Sequence, residues 1–293
     1  MNQKLLRKKF LVDEYLAEGN YCLSAFSFVN IFAWQDFFTF DFKIIQGHLC
    51  VFAENAMGRF LYLPPLGLKL FSEIIKECFD QMQRSSVVRI ENVLLSQLSN
   101  FSDKEYKKIQ KSYEYCYFRE DVVNLRGNKY KSKRSAYNQF VKNCNFQYVS
   151  FEIGMLKECM QLYAQWASGR RRNDQNIYDH MLEENEQVHR LVIQHYQELG
   201  LEGRVVLVDG HIKGYTFGFA LNKNMFCVFL EVTDLLVKGL STYIFRQFCQ
   251  DKVWRNFTFV NVMDDCLLEN MKEVKMSFRP SMLIPSYVVT KNA

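Results

Sequence analysis

From Val260 to Pro280 the chain reads VNVMDDCLLENMKEVKMSFRP, its densest set of residues able to do chemistry. A strand-like run over Phe257 to Val262 gives way to Asp264 and Asp265, then to Lys272, Lys275 and Arg279. An α/β protein commonly presents a site where a buried strand ends in opposed charges at the sheet edge. A solvated loop between two strands accounts for the same letters, because carboxylates beside lysines also serve plain ion pairs. Lys272 and Lys275 stand three apart, so a helical turn over 272–276 would set them on one face.

Other residue types exclude more than they offer. The nine cysteines are scattered singly, with no CxxC and no Cys/His cluster at metal spacing. That usage points to reduced, buried thiols in a cytoplasmic protein, and against a zinc site or disulfide framework. His189 and His195 are six apart on a predicted helix and so face different ways, and His48, His180 and His211 are isolated. No metal is expected. The net charge of +5 is too weak to demand a polyanionic partner, so its distribution matters more than its sum. No run approaches the ~18 apolar residues of a membrane span. Contact with lipid would therefore be peripheral.

The cations concentrate in RGNKYKSKRSAYNQFVK, where Arg126, Lys129, Lys131, Lys133, Arg134 and Lys142 occur with no acid and with aromatic residues interleaved. Arg170, Arg171 and Arg172 form a second run. Such a track could follow the phosphates of RNA with a steep salt dependence, while arginine and tyrosine stack on exposed bases. A solvated helix face or a contact with anionic lipid gives the same pattern.

The elements that must position these groups follow from periodicity. SAFSFVNIFAWQDFFTFDFKII reads as a short helix and a strand, HLCVFAEN as a strand, and LKLFSEIIKECFDQMQR as an amphipathic helix. VVRIENV reads as a strand, SDKEYKKIQK as a capped helix start, and 129–142 as a basic helix. VSFEIGMLKECMQLYAQWA gives a strand end and a helix, and a long helix from about Ile177 stops at Gly200. RVVLVDGHIKGYTFGFAL is a hairpin around Asp-Gly. MFCVFLEVTD, FTFVNVM and MLIPSYVV are strands, and KGLSTYIFRQFCQDKVW is a helix. Trp166 and the Phe/Tyr stripes belong to the core.

This order in the second half is similar to a GNAT (acyl-CoA N-acyltransferase superfamily) unit, and the first half resembles a degraded copy. An α/β (α+β) protein of two tandem GNAT-like units is expected, 1–145 and 146–293, packed as one body because no Ser/Gly/Pro linker separates them. The segments GRFLYLPPLG, FREDVVNLRGNKYKSKRSAYNQFVKNCNFQY, LEGRVVLVDGHIKGYTFGF and VNVMDDCLLENMKEVKMSFRPS carry a closer likeness. Together they resemble the bacterial family related to the C-terminal catalytic domain of phosphatidylglycerol lysyltransferase, itself similar to Fem-type aminoacyltransferases. The likeness spans essentially the whole chain.

That resemblance implies transfer of an aminoacyl group from aminoacyl-tRNA to a lipid headgroup or amine. In the family the C-terminal motif runs Asn-Arg-Glu-Glu/Asp-Asp, then Leu-Arg-x-x-Lys-x-Ser-Tyr-x-Pro. This chain keeps Asn261, Asp264, Asp265, Lys275, Ser277 and Pro280. It has Val262 and Met263 for the Arg-Glu pair, Lys272 for the arginine and Phe278 for the tyrosine. The resemblance assigns Lys275 to an oxyanion or to the leaving 3′-oxygen of tRNA. Glu231 would hold a donor amine or act as base, with a salt bridge as its competing role. Asp264 is a further candidate, and Lys272 and Asn261 would help to hold the donor. Acyl-CoA enzymes of this fold cradle pyrophosphate with Arg/Gln-x-x-Gly-x-Gly/Ala at a helix N-terminus. Here Leu236 to Ser241 offers Lys238, Gly239 and Ser241, with Gly239 alone matching cleanly. An acyl-CoA-dependent N-acyltransferase and a non-catalytic binding or regulatory protein are the alternatives. No resident cofactor is expected.

Overall fold

The computed structural model describes residues 2–70, 72–83, 85–170 and 176–292. The first half runs α1 (Asn2–Leu6), α2 (Lys9–Ala17), α3 (Phe28–Ala33), β1 (Thr39–Ile45), β2 (His48–Asn55) and β3 (Gly58–Leu61). It continues through α4 (Ser72–Asp80), β4 (Ile90–Leu94), β5 (Tyr106–Phe118), α5 (Arg119–Asn124) and α6 (Lys131–Asn143). The second half runs β6 (Phe146–Ser150), α7 (Leu156–Ser168), α8 (Asn176–Gln194), α9 (Tyr196–Leu199), β7 (Glu202–Val208) and β8 (His211–Ala220). It ends with β9 (Met225–Thr233), α10 (Leu240–Gln250), β10 (Phe259–Asn261), α11 (Glu269–Ser277) and β11 (Met282–Lys291).

The strands form one sheet in the order β1-β2-β3-β4-β11-β5-β10-β9-β8-β7-β6. The last strand therefore lies inside the first half of the sheet. β11 sits between β4 and β5, antiparallel to both, and β5 is antiparallel to β10. β10 in turn runs parallel to β9 for three residues, ending at Asn261↔Cys227. The two halves thus exchange strands at the middle of the sheet. One apolar cluster reaches from Val12 to Val289 across that seam, and Asn222 Nδ2 donates to Tyr21 O at 2.8 Å.

Local chemistry explains most elements. Ser27 caps α3 by accepting from Asn30 N at 3.1 Å. Asp209 and Gly210 take φ values of 50° and 81°, the two left-handed positions of a tight hairpin turn between β7 and β8. The long predicted helix is broken at His195 into α8 and α9, and Gly200 ends it at φ 72°. SDKEYKKIQK is not a helix start but the entry to β5, the longest strand. Ser102 does accept locally from Lys104 N at 3.3 Å. Ten paired positions with β11 then outweigh that short cap.

Gly239 opens α10 at φ +84°, and a Cβ there would lie 2.1 Å from Ala136 O of α6. Its glycine is therefore needed both for backbone conformation and for the close crossing of α6, which stacks Tyr137 on Tyr243 at 5.5 Å. Gly239→Val is expected to destabilise the protein by about 2 kcal/mol or more, read as a lower urea midpoint with unchanged slope.

Candidate functional site at the seam of the sheet

Where β5 meets β10, one buried acid organises the surroundings. Glu114 accepts from Ser24 N at 2.8 Å, Ser24 Oγ at 2.6 Å and Asn261 Nδ2 at 2.6 Å. Burial pushes its carboxyl up, and the Ser24 and Asn261 donors oppose that shift. Asn261 is fully buried; its Nδ2 also donates to Cys22 O at 2.9 Å, and its Oδ1 accepts from Met263 N at 2.7 Å. The network joins the loop before α3, β5, β10 and the turn that follows β10.

That turn, residues 262–268, is bent by three side-chain-bearing residues in the left-handed region: Met263 at φ 63°, Cys266 at 51° and Leu267 at 59°. Such backbone persists only where its surroundings hold it. Tyr115 does so twice, through backbone bonds to Val262 N and Met263 O and through its hydroxyl, which donates to Asp265 Oδ2 at 2.5 Å. Lys275 supplies the third restraint. Its ammonium donates to Val262 O at 2.6 Å and to Asp264 O, and lies 5.7 Å from the Tyr115 ring centre. Burial pulls the Lys275 pKa down, opposed by the nearby charge of Asp264.

The structure thus gathers Lys275, Asp264, Asp265 and Asn261. It separates Lys272, which faces solvent and pairs with Glu269 at 3.3 Å. The two lysines do not share a face: Lys275 turns inward beneath the turn. Asp264 and Asp265 do not pair with either lysine through their carboxylates. They cap their own turn instead, accepting from Cys266 N and Leu267 N.

Glu231 lies farther along β9, four residues beyond the last pair with β10. It stands opposite Thr216 of β8, and its Oε2 and Thr216 Oγ1 are both sealed from solvent. Burial raises its pKa to about 8; the Thr216 hydroxyl is near enough to favour the ionised form slightly.

Of the donor-loop residues, Lys238 and Ser241 are exposed, while Gly239 is covered by α6 rather than open to a phosphate. The basic residues divide. Arg134 binds the carbonyls of Leu125 and Gly127, Lys129 pairs with Asp121, and Lys133 lies 4.0 Å over the Phe278 ring. Arg126, Lys131 and Lys142 are exposed, and Arg170 lies over Trp166. Arg171 and Arg172 fall outside the described residues. No cluster of three metal-ligating side chains occurs among the described residues. A hollow of about 350 Å³ between Phe118–Asp121 and Arg255–Thr258 lies at the other end of the β5–β10 pair.

Glu114, Ser24 and Tyr115 escape the sequence reading. Glu114 carries one usable signal, an acid inside the aromatic run YEYCYF. Because Glu231 has a raised folded-state pKa, its stabilising effect is complete below about 4.5 and is lost as pH rises through about 8. Glu231→Gln is therefore expected to gain stability over the wild type between pH 5 and pH 8, by ~2 kcal/mol, measured by chemical denaturation at both pH values.

Known structures share this architecture. A conserved protein of unknown function from Bacteroides thetaiotaomicron superposes with a TM-score of 0.89 at 19% identity, over 98% of this chain and 97% of that one. L-PGS from Bacillus licheniformis gives 0.66 at 17% identity over 96% and 90%. FemX gives 0.63 at 8% identity over 99% and 94%. These likenesses carry the fold, a tandem GNAT-like α/β arrangement on one continuous sheet. No curated protein matches the sequence. The family model described as phosphatidylglycerol lysyltransferase, C-terminal, matches residues 22–290, and the chain belongs to that family.

Proposed function

We propose that this protein transfers an aminoacyl group from aminoacyl-tRNA to a lipid headgroup hydroxyl or an amine, at the turn between β10 and α11. Family membership supports the reaction class. The observation that carries the residue assignment is the Lys275 ammonium, fixed inside that turn by Val262 O and Asp264 O. An ammonium has three N–H groups. Two serve the turn, and the third remains for the oxyanion that forms when the acceptor adds to the ester carbonyl.

In this reaction the acceptor oxygen or nitrogen bonds to the acyl carbon and the bond to the tRNA 3′-oxygen breaks. The proton lost by the acceptor ends on that leaving oxygen. Burial lowers the Lys275 pKa, which favours lending a proton, and the charge of Asp264 on the turn opposes that shift. Asn261 and Glu114 hold the backbone on which both stand.

Three observations favour tRNA over CoA as the donor. Ala136 O covers Gly239 where a pyrophosphate would meet the N-terminus of α10, and Leu236 occupies the place of the signature Arg/Gln. Exposed Arg126, Lys131 and Lys142 are available to phosphates. A charged tRNA donor implies work in the cytoplasm, with a lipid acceptor reached from the membrane surface. Among the described residues no helix is long and apolar enough to cross a membrane.

Incubation with labelled aminoacyl-tRNA and phosphatidylglycerol vesicles or peptide amines is expected to yield labelled product. Lys275→Met should lower the rate roughly 10²-fold or more, with Lys275→Arg retaining more activity because the charge remains. Lys131→Glu with Lys142→Glu should weaken tRNA binding and flatten its salt dependence. Absence of tRNA binding at low salt, together with micromolar CoA binding, would overturn this reading.

A further inference from the structure

Ahead of the sheet, the helical arm α1–α2 carries charge that the fold itself does not use. The residues that precede Leu11 include Lys4, Arg7, Lys8 and Lys9 and no acid, in a chain whose whole net charge is +5. Lys9 is answered by Asp13 of α2 at 2.5 Å. Lys4, Arg7 and Lys8 are exposed and make no ion pair among the described residues. Beside them stands Phe10, with 80% of its surface open to solvent. A single exposed aromatic is ordinary, but one set among unpaired cations has the composition of a segment that lies at a lipid–water interface.

The other side of the arm fixes it to the body. Val12 is fully buried, and Leu5, Leu6, Leu11, Tyr15 and Leu16 pack against the main apolar cluster. Lys8 N donates to Leu5 O at 2.8 Å and Val12 N to Lys8 O at 3.0 Å, so the backbone runs on between the two helices. The cations therefore stand on an ordered tip. The acids of the arm come later: Asp13 is paired, Glu14 lies about 6 Å beyond Phe10 along the axis, and Glu18 lies beyond that. Charge thus runs from positive at Lys4 to negative at Glu18, which directs the first residues towards an anionic surface. An anionic bilayer answers both features at once, since its headgroups meet the cations and its acyl boundary takes the ring. The arm precedes residue 22, where the family match begins, so the family assigns it no role.

We infer that the tip of this arm is a contact surface for an anionic lipid bilayer, with Lys4, Arg7 and Lys8 on the headgroups and Phe10 at the acyl boundary. The contact stands apart from acyl transfer and does not rest on it, since no bond is made or broken. The probe is a vesicle of equal parts phosphatidylserine and phosphatidylcholine. It offers negative charge without phosphatidylglycerol, the lipid acceptor of the transfer assay. Binding is read by co-sedimentation, with pure phosphatidylcholine vesicles as the neutral surface. Each cation near such a surface is worth about fivefold in affinity, and the attraction is screened within about 10 Å at 0.1 M salt.

Lys4→Glu combined with Arg7→Glu and Lys8→Glu is expected to weaken binding to the anionic vesicles roughly 10²-fold or more and to flatten its salt dependence. Phe10→Ser should weaken it about tenfold and leave the salt dependence steep. Both variants change exposed side chains, so the urea midpoint should not move. Lys131→Glu with Lys142→Glu should keep most of the vesicle binding. Wild-type binding no tighter to anionic than to neutral vesicles overturns the assignment, as does unchanged binding in the triple variant. Loss of tRNA binding in place of vesicle binding in that variant overturns it too. Transfer to a peptide amine by a protein that ignores vesicles would remove this surface alone, and vesicle binding without any transfer would remove the transferase reading alone.

Discussion

A fully buried carboxyl is the constraint around which the seam of this molecule is arranged. Glu114 is buried where the loop before α3, β5 and β10 converge, and its lone pairs are answered by neutral donors from Ser24 and Asn261. Burying a carboxyl in this way is costly unless its acceptors are met. The donors must therefore stay in place, and each belongs to a different part of the chain. Asn261 is held by the acid on one side and holds Met263 N on the other. The strained turn that holds the Lys275 ammonium thus inherits its position from a group on the neighbouring strand β5.

Much of the fold is legible in the sequence because its signals are local. The Asp209-Gly210 turn, the stop at Gly200 and the periodicity of α4 and α10 each depend on residues a few places apart. β5 is different. Its first half carries lysines and glutamine in a helix-like setting, and only pairing with β11, more than 150 residues later, makes it a strand. The same distance hides the site. Lys275 and Asn261 stand out in one motif, but Glu114 and Ser24 are joined to them by the fold alone, and Ser24 has no distinguishing context in sequence. Charge patterning misleads in a related way: in 126–142 a run of cations reads as a surface track, yet Arg134 spends its guanidinium on carbonyls and Lys133 lies on an aromatic ring.

The two parts of the second half divide the chemistry available to it. The β10–α11 turn concentrates a restrained ammonium with backbone carbonyls and short-range acids, a setting that responds to negative charge. Beneath α10, β8 and β9 instead bury the Glu231 carboxyl opposite Thr216, where burial raises its pKa.

The crossing of β5 and β11 at the middle of the sheet has a consequence for how the chain is made. The slot between β4 and β5 is filled by Met282–Lys291, so the amino-terminal half cannot complete its own layer while those residues are still inside the ribosome. Final closure waits until those residues are released, and until then both flanking strands expose open edges that invite mispairing with other chains.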